Sequence, residues 1–425
     1  MDPLAFLLGL ERLGMKFGLE NMTRLCAALG NPERSFKSVI IAGTNGKGSV
    51  SAMVSASLRA AGHRTGRYTS PHLERLEERF VIDEEEVTTE ILRSAATAVQ
   101  AAVETLMSSG SLETHPTFFE CATAIAFELF RRAEIEIAVL EVGLGGRLDA
   151  TNVVMPLAAA ITSIGLDHEA QLGGTLASVA REKAGVIKSG IPVVCGPLPP
   201  EADRVIEDTC RERNARMIRT IHRVTASVDL SDRSTVVTLD TPHHRLERVT
   251  LALNGRHQVL NAATSVTLLE ELDAMGIEVD GGAIVAGLRT PKWPGRLERF
   301  RWGTSEVLLD AAHNPAGTAA LAAHLREIGW SDATLVFGAM RDKDLGGMLA
   351  PLGPVVQRLI CTTAPGARAA SASELANVAR AIPGCPAPLA IDVPEEALRL
   401  ACADAAHVVV TGSIFLIGPL RGILR

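Results

Sequence analysis

Two hydrophobic rhythms alternate along this chain. Short runs of apolar and β-branched residues predict buried strands, and between them apolar positions recur every three or four residues, the spacing of an amphipathic helix. Residues 38–42 are such a strand, and they break into Gly43-Thr44-Asn45-Gly46-Lys47-Gly48-Ser49. Beyond that turn Val50, Met53, Val54, Ser57, Leu58 and Ala61 share one helical face, with Gly62 where a C-cap would stand. Upstream, 4–29 reads as helical until Gly30-Asn31-Pro32. Downstream come a strand at 65–69 and a helix opened by Glu84 to Glu86 with Thr88 and Thr89 and lasting to 108. A further helix, from Pro116 to Ala133, buries Phe118, Ala122, Ile125 and Leu129.

Strands at 135–142, 156–164 and 192–195 then alternate with helices at 176–188 and 201–213. That alternation predicts a mostly parallel sheet with helices on both faces. Between 217 and 253 the rhythm changes to short alternating β-runs, an antiparallel edge, and helices at 257–275 and 282–288 follow. Thr290-Pro291-Lys292-Trp293-Pro294-Gly295 reads as a linker. After it the order restarts, with strands at 307–309, 333–337, 355–361, 388–391 and 408–411. The expected fold class is α/β in two domains. Residues 1–290 form a P-loop-type, mostly parallel sheet flanked by helices with a small antiparallel β extension, 291–295 a linker, and 296–425 a smaller Rossmann-like α/β domain. A length of 425 residues agrees, being long for a single core.

Composition narrows the class. Apolar residues at 47% and charged residues at 21% describe a globular protein, and a net charge of −7 without a Lys/Arg block argues against a nucleic-acid partner. The seven cysteines are scattered without a CxxC, so reduced thiols are expected rather than zinc or disulfides. The apolar patch at 4–10 is too short for a signal or a span, so the expectation is a soluble, cytoplasmic protein with no membrane partner.

In open parallel sheets, ligands gather at the carboxyl ends of the strands. Four polar stations stand there in the first domain: the glycine loop, Ser70 with His72, Glu141, and Asp167 with His168. A glycine turn with one lysine at a helix start suits nucleotide phosphates, because backbone N–H groups and the helix dipole point inward. This loop is a variant, with Ile41 where the usual pattern has glycine and Gly48 where it has a hydroxyl; a plain strand-to-helix turn is the alternative. Glu141, ending an apolar strand, suits a magnesium-holding acid and Ser70 an oxygen ligand, although alone Glu141 reads equally as a surface acid. His168 taken alone reads as a structural histidine. Gly143 to Arg147 lacks dinucleotide spacing and better serves to bring Arg147 and Asp149 near reacting groups. Lys183 lies inside a helix, where spacing alone suggests a solvated charge. Asp310-Ala311-Ala312-His313-Asn314-Pro315 is a polar cluster at another strand end; Asn314-Pro315 suits a helix cap, and Asp310 suits ribose hydroxyls.

Collected in order, these segments resemble the folylpolyglutamate synthase / dihydrofolate synthase family within the Mur ligase superfamily. The resemblance runs essentially end to end, through GLENM (18–22), GTNGKGS (43–49), TSPHL (69–73), TFFE (117–120), EVGLGGRLDATN (141–152), LDH (166–168), REKAGV (181–186), WPGRLE (293–298), DAAHNP (310–315), VFGAMRDKD (336–344) and TGS (411–413). It implies that Thr44, Asn45, Gly46, Lys47, Gly48 and Ser49 surround ATP phosphates, and that Asn261, Arg296 and Asp310 complete the ATP site. It implies Ser70, Glu141 and His168 as magnesium ligands, with Lys183 carrying a carbamate that binds a second magnesium. Thr117, Phe118, Phe119, Glu120, Leu148, Asp149 and Ala150 would contact the pterin-bearing substrate, and His313 the incoming glutamate; Lys47, Lys183 and His313 would be the catalytic residues. Residues 1–290 would then be the ATP-binding, Mur ligase-like central domain and 296–425 the glutamate ligase domain. Two departures are Ala311, often glycine in the family, and Glu169, where a less charged residue is common.

The implied reaction passes the ATP γ-phosphoryl group to a carboxylate, and the acyl phosphate is attacked by the α-amine of L-glutamate. Dihydropteroate would give dihydrofolate, and a folate's terminal γ-carboxylate would give a longer polyglutamate tail. Closure around 290–295 would exclude water, and a monomer is expected. The rivals are a Mur-type or cyanophycin-type ligase for another carboxylate, and a nucleotide switch that hydrolyses ATP without an acceptor.

Overall fold

The structure is a computed structural model that describes residues 2–14 and 18–425. Among these residues the strands form three sheets. The first contains β1 (Lys37–Ala42), β2 (Thr65–Tyr68), β3 (Phe80–Ile82), β4 (Glu85–Glu86), β5 (Ile137–Glu141), β6 (Ala158–Ile161), β7 (Pro192–Cys195) and β8 (Arg216–Arg219), in the order β4-β3-β2-β5-β1-β6-β7-β8. Pairing is parallel from β2 to β8, with β3 and β4 antiparallel at one edge. The central strands β1, β5, β6 and β7 are near-continuous apolar runs because both of their faces are covered. Val39, Ile41 and Val139 pack with Met53 and Val54 of the Lys47–Ala60 helix, whereas Ala138 and Leu140 pack on the opposite side with Ile125 and Leu129. In the register, Ile41 faces Glu141 on one side and Ala160 on the other. The loop after β1, the carboxylate ending β5 and the turn after β6 therefore reach one end of the sheet.

The expected antiparallel extension exists, but as its own sheet of β9 (Thr225–Leu230), β10 (Thr235–Asp240) and β11 (Arg245–Leu251). It is not an edge of the main sheet, which ends on that side with the parallel β8 and on the other with β4. The third sheet holds β12 (Glu298–Trp302), β13 (Ser305–Leu309), β14 (Thr334–Phe337), β15 (Arg358–Cys361), β16 (Pro388–Ala390) and β17 (His407–Thr411), ordered β12-β13-β17-β14-β15-β16. All its pairings are parallel except that of β12 with β13. No helix among the described residues is long and apolar enough to cross a membrane.

Several expected boundaries move for identifiable reasons. The helix expected over 4–29 is broken: helices span Pro3–Gly9 and Glu20–Ala28, and Gly14 and Gly18 lie at φ 67° and 141°, outside helical geometry. Residues 15–17 of that expectation lie outside the described residues. Glu84 to Glu86 do not open a helix. Asp83 and Glu84 turn at φ 50° and 68°, so β3 and β4 form a hairpin, and the helix begins at Thr89 behind an N-cap at Thr88. The helix after β1 starts at Lys47, earlier than expected, and that after β6 ends at Ala184 rather than 188.

The first and third sheets are tied near the linker by Arg421 of the Ile414–Leu424 helix. Its guanidinium grips Glu298 through Nε (2.7 Å) and Nη2 (2.9 Å), and Nη1 donates to Glu74 (2.6 Å) in the loop after β2. The arginine side chain is 8% exposed, the two carboxylates 19% and 25%. Arg421→Met is expected to lower stability by about 2 kcal/mol, below the cost for a fully buried pair because both acids keep some water. The denaturant midpoint followed by circular dichroism measures this.

Candidate active site

The carboxyl ends of β1, β2, β5 and β6 face those of β13, β14 and β17 across one cavity of about 560 Å³. One corner of it is the turn after β1. Gly46, at φ 86°, is the N-cap of the Lys47–Ala60 helix and makes no side-chain cap, which leaves first-turn N–H groups free for an anion. A Cβ at Gly43 would collide with Thr162 Oγ1, and one at Gly46 with Asn261 Oδ1, so glycine is required at both. The loop is pinned from behind: Asn45 N–H donates to Ser163 Oγ (3.0 Å), and Thr44 Oγ1 accepts from Gly165 N–H (3.0 Å). Thr44, Lys47, Gly48 and Ser49 line the cavity with them.

Two lysines converge on one carbonyl. Lys47 Nζ donates to Gly43 O (3.1 Å) and Thr44 O (3.3 Å), and Lys183 Nζ donates to the same Gly43 O (2.8 Å). Lys183 is buried, so the solvated-charge reading of its helix position is wrong. Burial, and then the neighbouring Lys47 charge, lower its amine to about 7.

Glu141 ends β5 inside the cavity wall, where burial raises its carboxyl despite the opposing charge of Lys47 and the N–H of Ser70. That N–H reaches Glu141 Oε2 at 3.1 Å. His168 stands at φ 52°, and burial followed by the Lys343 charge lowers its imidazole, leaving it neutral with a lone pair. Its Nε2 lies 3.3 Å from Lys343 Nζ. Ser70, Glu141 and His168 all line the cavity. Among the described residues no three or more His, Cys, Asp or Glu form a metal cage. One carboxylate, one hydroxyl and one imidazole beside a phosphate cradle nevertheless fit magnesium, which keeps most of its shell for water and phosphate oxygens.

From the third sheet, Asp310 is buried, with Oδ2 accepting Leu297 N–H (3.0 Å) and Oδ1 accepting Ala312 N–H (3.0 Å). Burial raises its carboxyl, opposed by Arg296. His313 donates Nδ1–H to Ala311 O (2.9 Å), which fixes its tautomer, and burial lowers it to about 4. Asn314 is the helix cap that Asn314-Pro315 suggested, its Oδ1 accepting Gly317 N–H (2.9 Å). It does more than cap. Its amide exchanges hydrogen bonds with Asn45 (3.1 and 2.9 Å) and donates to Asp167 Oδ2 (3.0 Å). Lys343 Nζ completes the bridge at 2.5 Å from Asp167 Oδ1. Burial would raise Asp167, but Lys343, His168 and His313 hold it down to about 2. Sequence reasoning gave Lys343 no role, although it stands in the GAMRDKD segment.

The residues expected at the pterin do not line this cavity. Thr117 and Glu120 form a capping box on the Phe118–Arg132 helix, leaving Glu120 Oε1 buried without a partner. Phe118 lies under the Arg79 guanidinium (5.0 Å), and Phe119 fills the space where Gly143 has no side chain. Asp149 is buried and accepts the N–H groups of Gly143 (2.9 Å) and Leu144 (3.0 Å), so it shapes the loop beside Glu141. Leu148 and Ala150 flank it, and Arg147 turns instead to Glu182 (2.9 Å).

The Mur ligase middle domain matches residues 86–269, and the glutamate ligase domain of Mur ligases matches 295–414. A probable bifunctional folylpolyglutamate synthase/dihydropteroate synthase of Haloferax volcanii is 38% identical over 85% of this chain, yet the chain spans only 42% of that protein's length. The dihydrofolate synthase/folylpolyglutamate synthase of Bacillus subtilis is 32% identical over 100% of this chain and 99% of its own. Mycobacterium tuberculosis folylpolyglutamate synthase complexed with ADP and AMPPCP superposes with a TM-score of 0.92 at 33% identity, covering 100% of this chain and 99% of that one. A bifunctional folylpolyglutamate synthase/dihydrofolate synthase with Mn, AMPPNP and L-glutamate bound gives 0.86 at 33% identity, over 100% and 98%. With identity at this level over its whole length, the chain belongs to the folylpolyglutamate synthase / dihydrofolate synthase family of Mur ligases.

Proposed function

We propose that this protein uses ATP to join L-glutamate to folate-type carboxylates, converting dihydropteroate to dihydrofolate and lengthening the polyglutamate tail of tetrahydrofolate. The observation that carries this reading is the meeting of the Gly43–Ser49 cradle with the Asp310–Asn314 station in one cavity, bridged by the Asn45–Asn314 amide pair. A nucleotide switch has no need of the second half. Both halves come from one polypeptide, which supports a monomeric enzyme of two domains meeting at 291–295.

In this reading the 44–49 loop holds the ATP phosphates, and Asn261, Arg296 and Asp310 hold the remainder. The oxygens of Asp310 keep lone pairs for ribose hydroxyls after accepting two N–H groups. Ser70, Glu141 and His168 would hold magnesium, which when bound supplies positive charge against the γ-phosphate. The substrate carboxylate attacks the γ-phosphorus, ADP leaves, and Lys47 neutralises charge developing on the phosphoryl oxygens. The glutamate amine then attacks the acyl phosphate, forming the amide and releasing phosphate. His313 offers the unprotonated Nε2 as an acceptor for that amine. Lys183, neutral in many molecules near pH 7, is the form of lysine that captures CO2; the resulting carbamate would give a second magnesium an anionic ligand. The pterin end is assigned to Phe118 and the 148–150 backbone, with Glu120 Oε1 as an acceptor for a pterin N–H.

ADP release is the test, with dihydropteroate, tetrahydrofolate or a UDP-muramoyl acceptor, each with and without L-glutamate. Rapid ADP formation is expected only with a folate-type acceptor and glutamate together. ADP formed without either would sink the ligase reading, and turnover with the muramoyl acceptor alone would move the protein to another branch.

A further inference from the structure

The linker is not a free tether. Trp293 is packed against the core that contains Val50, Met53 and Val54, and its indole lies on the first turn of the Lys47–Ala60 helix. A Cβ on Gly48 would overlap Trp293 Cζ2 and stand 2.7 Å from Cε2. Arg67 places its guanidinium over the same ring at 5.7 Å, and Glu84 holds that arginine at 2.9 Å. Two residues further along, Gly295 O accepts Ala311 N–H (2.8 Å), next to Asp310, and Gly295 N–H donates to Glu298 Oε2 (2.8 Å). A span of three residues, Trp293 to Gly295, thus touches the residue after Lys47 at one end and the Asp310–His313 station at the other.

We propose that Trp293 is a positioning residue, a strut that sets the phosphate cradle against the second domain, and that Gly48 lacks a side chain in order to seat it. This rests on the ligase reading, because the strut matters only where two half-sites must meet. It also explains why the loop lacks the usual hydroxyl after its lysine: a serine or threonine at 48 would carry a Cβ into the indole.

The test is a compensating pair. Trp293→Leu is expected to lower kcat for ligation about tenfold with little change in the KM for ATP, since small misplacements of reacting groups are costly. Gly48→Ala is expected to lose about 100-fold, and Gly48→Ala/Trp293→Leu to recover at least tenfold over it, because the smaller side chain makes room for the new methyl. If the double variant is no better than Gly48→Ala, or Trp293→Leu matches the wild type, the strut is wrong and Gly48 serves phosphate approach alone. A wild-type protein inactive with every folate acceptor would defeat the ligase reading instead. The strut then stands on fluorescence: in Trp302→Phe/Trp330→Phe, AMPPNP should change Trp293 emission, and an unchanged spectrum would overturn it.

Discussion

Lys47→Met is expected to lower kcat/KM for ADP formation about 1000-fold while leaving the fold intact. The ammonium has three donors, and two meet Gly43 O and Thr44 O, so one remains for a phosphate oxygen. Those carbonyls hold the charge in place before ATP arrives, so no reorganisation is needed as negative charge moves onto the transferring group. Methionine keeps the aliphatic stem and the helix propensity but removes the charge; Gly43 O keeps its bond from Lys183, and Thr44 O can turn to water in the open cavity. Calorimetric ADP binding and circular dichroism separate the arms: folded protein, weakened nucleotide binding and lost turnover are expected. Activity within tenfold of wild type would show that Lys47 does not face the phosphates.

Much of the fold was legible because a parallel sheet covered on both faces needs strands that are continuous apolar runs. Those at 192–195 and 334–337 announce themselves in this way. The failures share a cause, since hydrophobic rhythm does not report backbone turns. Gly14 and Gly18 interrupt a helical pattern through positive φ, and Asp83-Glu84 makes a hairpin turn without the usual Asn-Gly. Strand β12, with Glu298, Arg299 and Arg301 beside Phe300 and Trp302, has too many charges to stand out as a strand.

For the site, local motifs were legible and long-range chemistry was not. The glycine loop, Glu141 and Asp310 stand at strand ends, where position makes them candidates, although Glu141 alone reads equally as a surface acid. The bridge of Asp167 with Asn314 and Lys343 joins residues 147 and 176 positions apart, so nothing local signals it. Asp149 and Glu120 enter as substrate contacts through the resemblance alone, and the sequence does not show that Asp149 accepts the N–H groups of Gly143, Leu144 and Thr151 while Glu120 Oε2 caps its own helix and leaves Oε1 without a partner. Gly48 looked like a defect in a phosphate loop until its neighbour proved to be an indole from the linker.

Lys183→Ala is expected to be nearly inactive, with a loss of about 100-fold or more, and to be partly rescued by acetate or formate. The alanine leaves a space beside Lys47 and Gly43 in which a small carboxylate can stand for the lost anion. Burial lowers the amine from 10.5 to about 7, so the neutral form grows as pH rises through 7, and wild-type activity at limiting CO2 should rise with it. The same shift sets a stability signature. The unfolded chain holds the proton up to about 10.5 and the folded chain only to about 7, so between these values stability rises with pH. Lys183→Met, which removes the buried amine, should therefore raise the denaturation midpoint at pH 7, with the gain shrinking toward pH 10. An inactive, stabilised Lys183→Met beside a carboxylate-rescued Lys183→Ala would mark a lysine kept for chemistry at the expense of the fold. Full activity of the alanine variant would remove the carbamate from the mechanism.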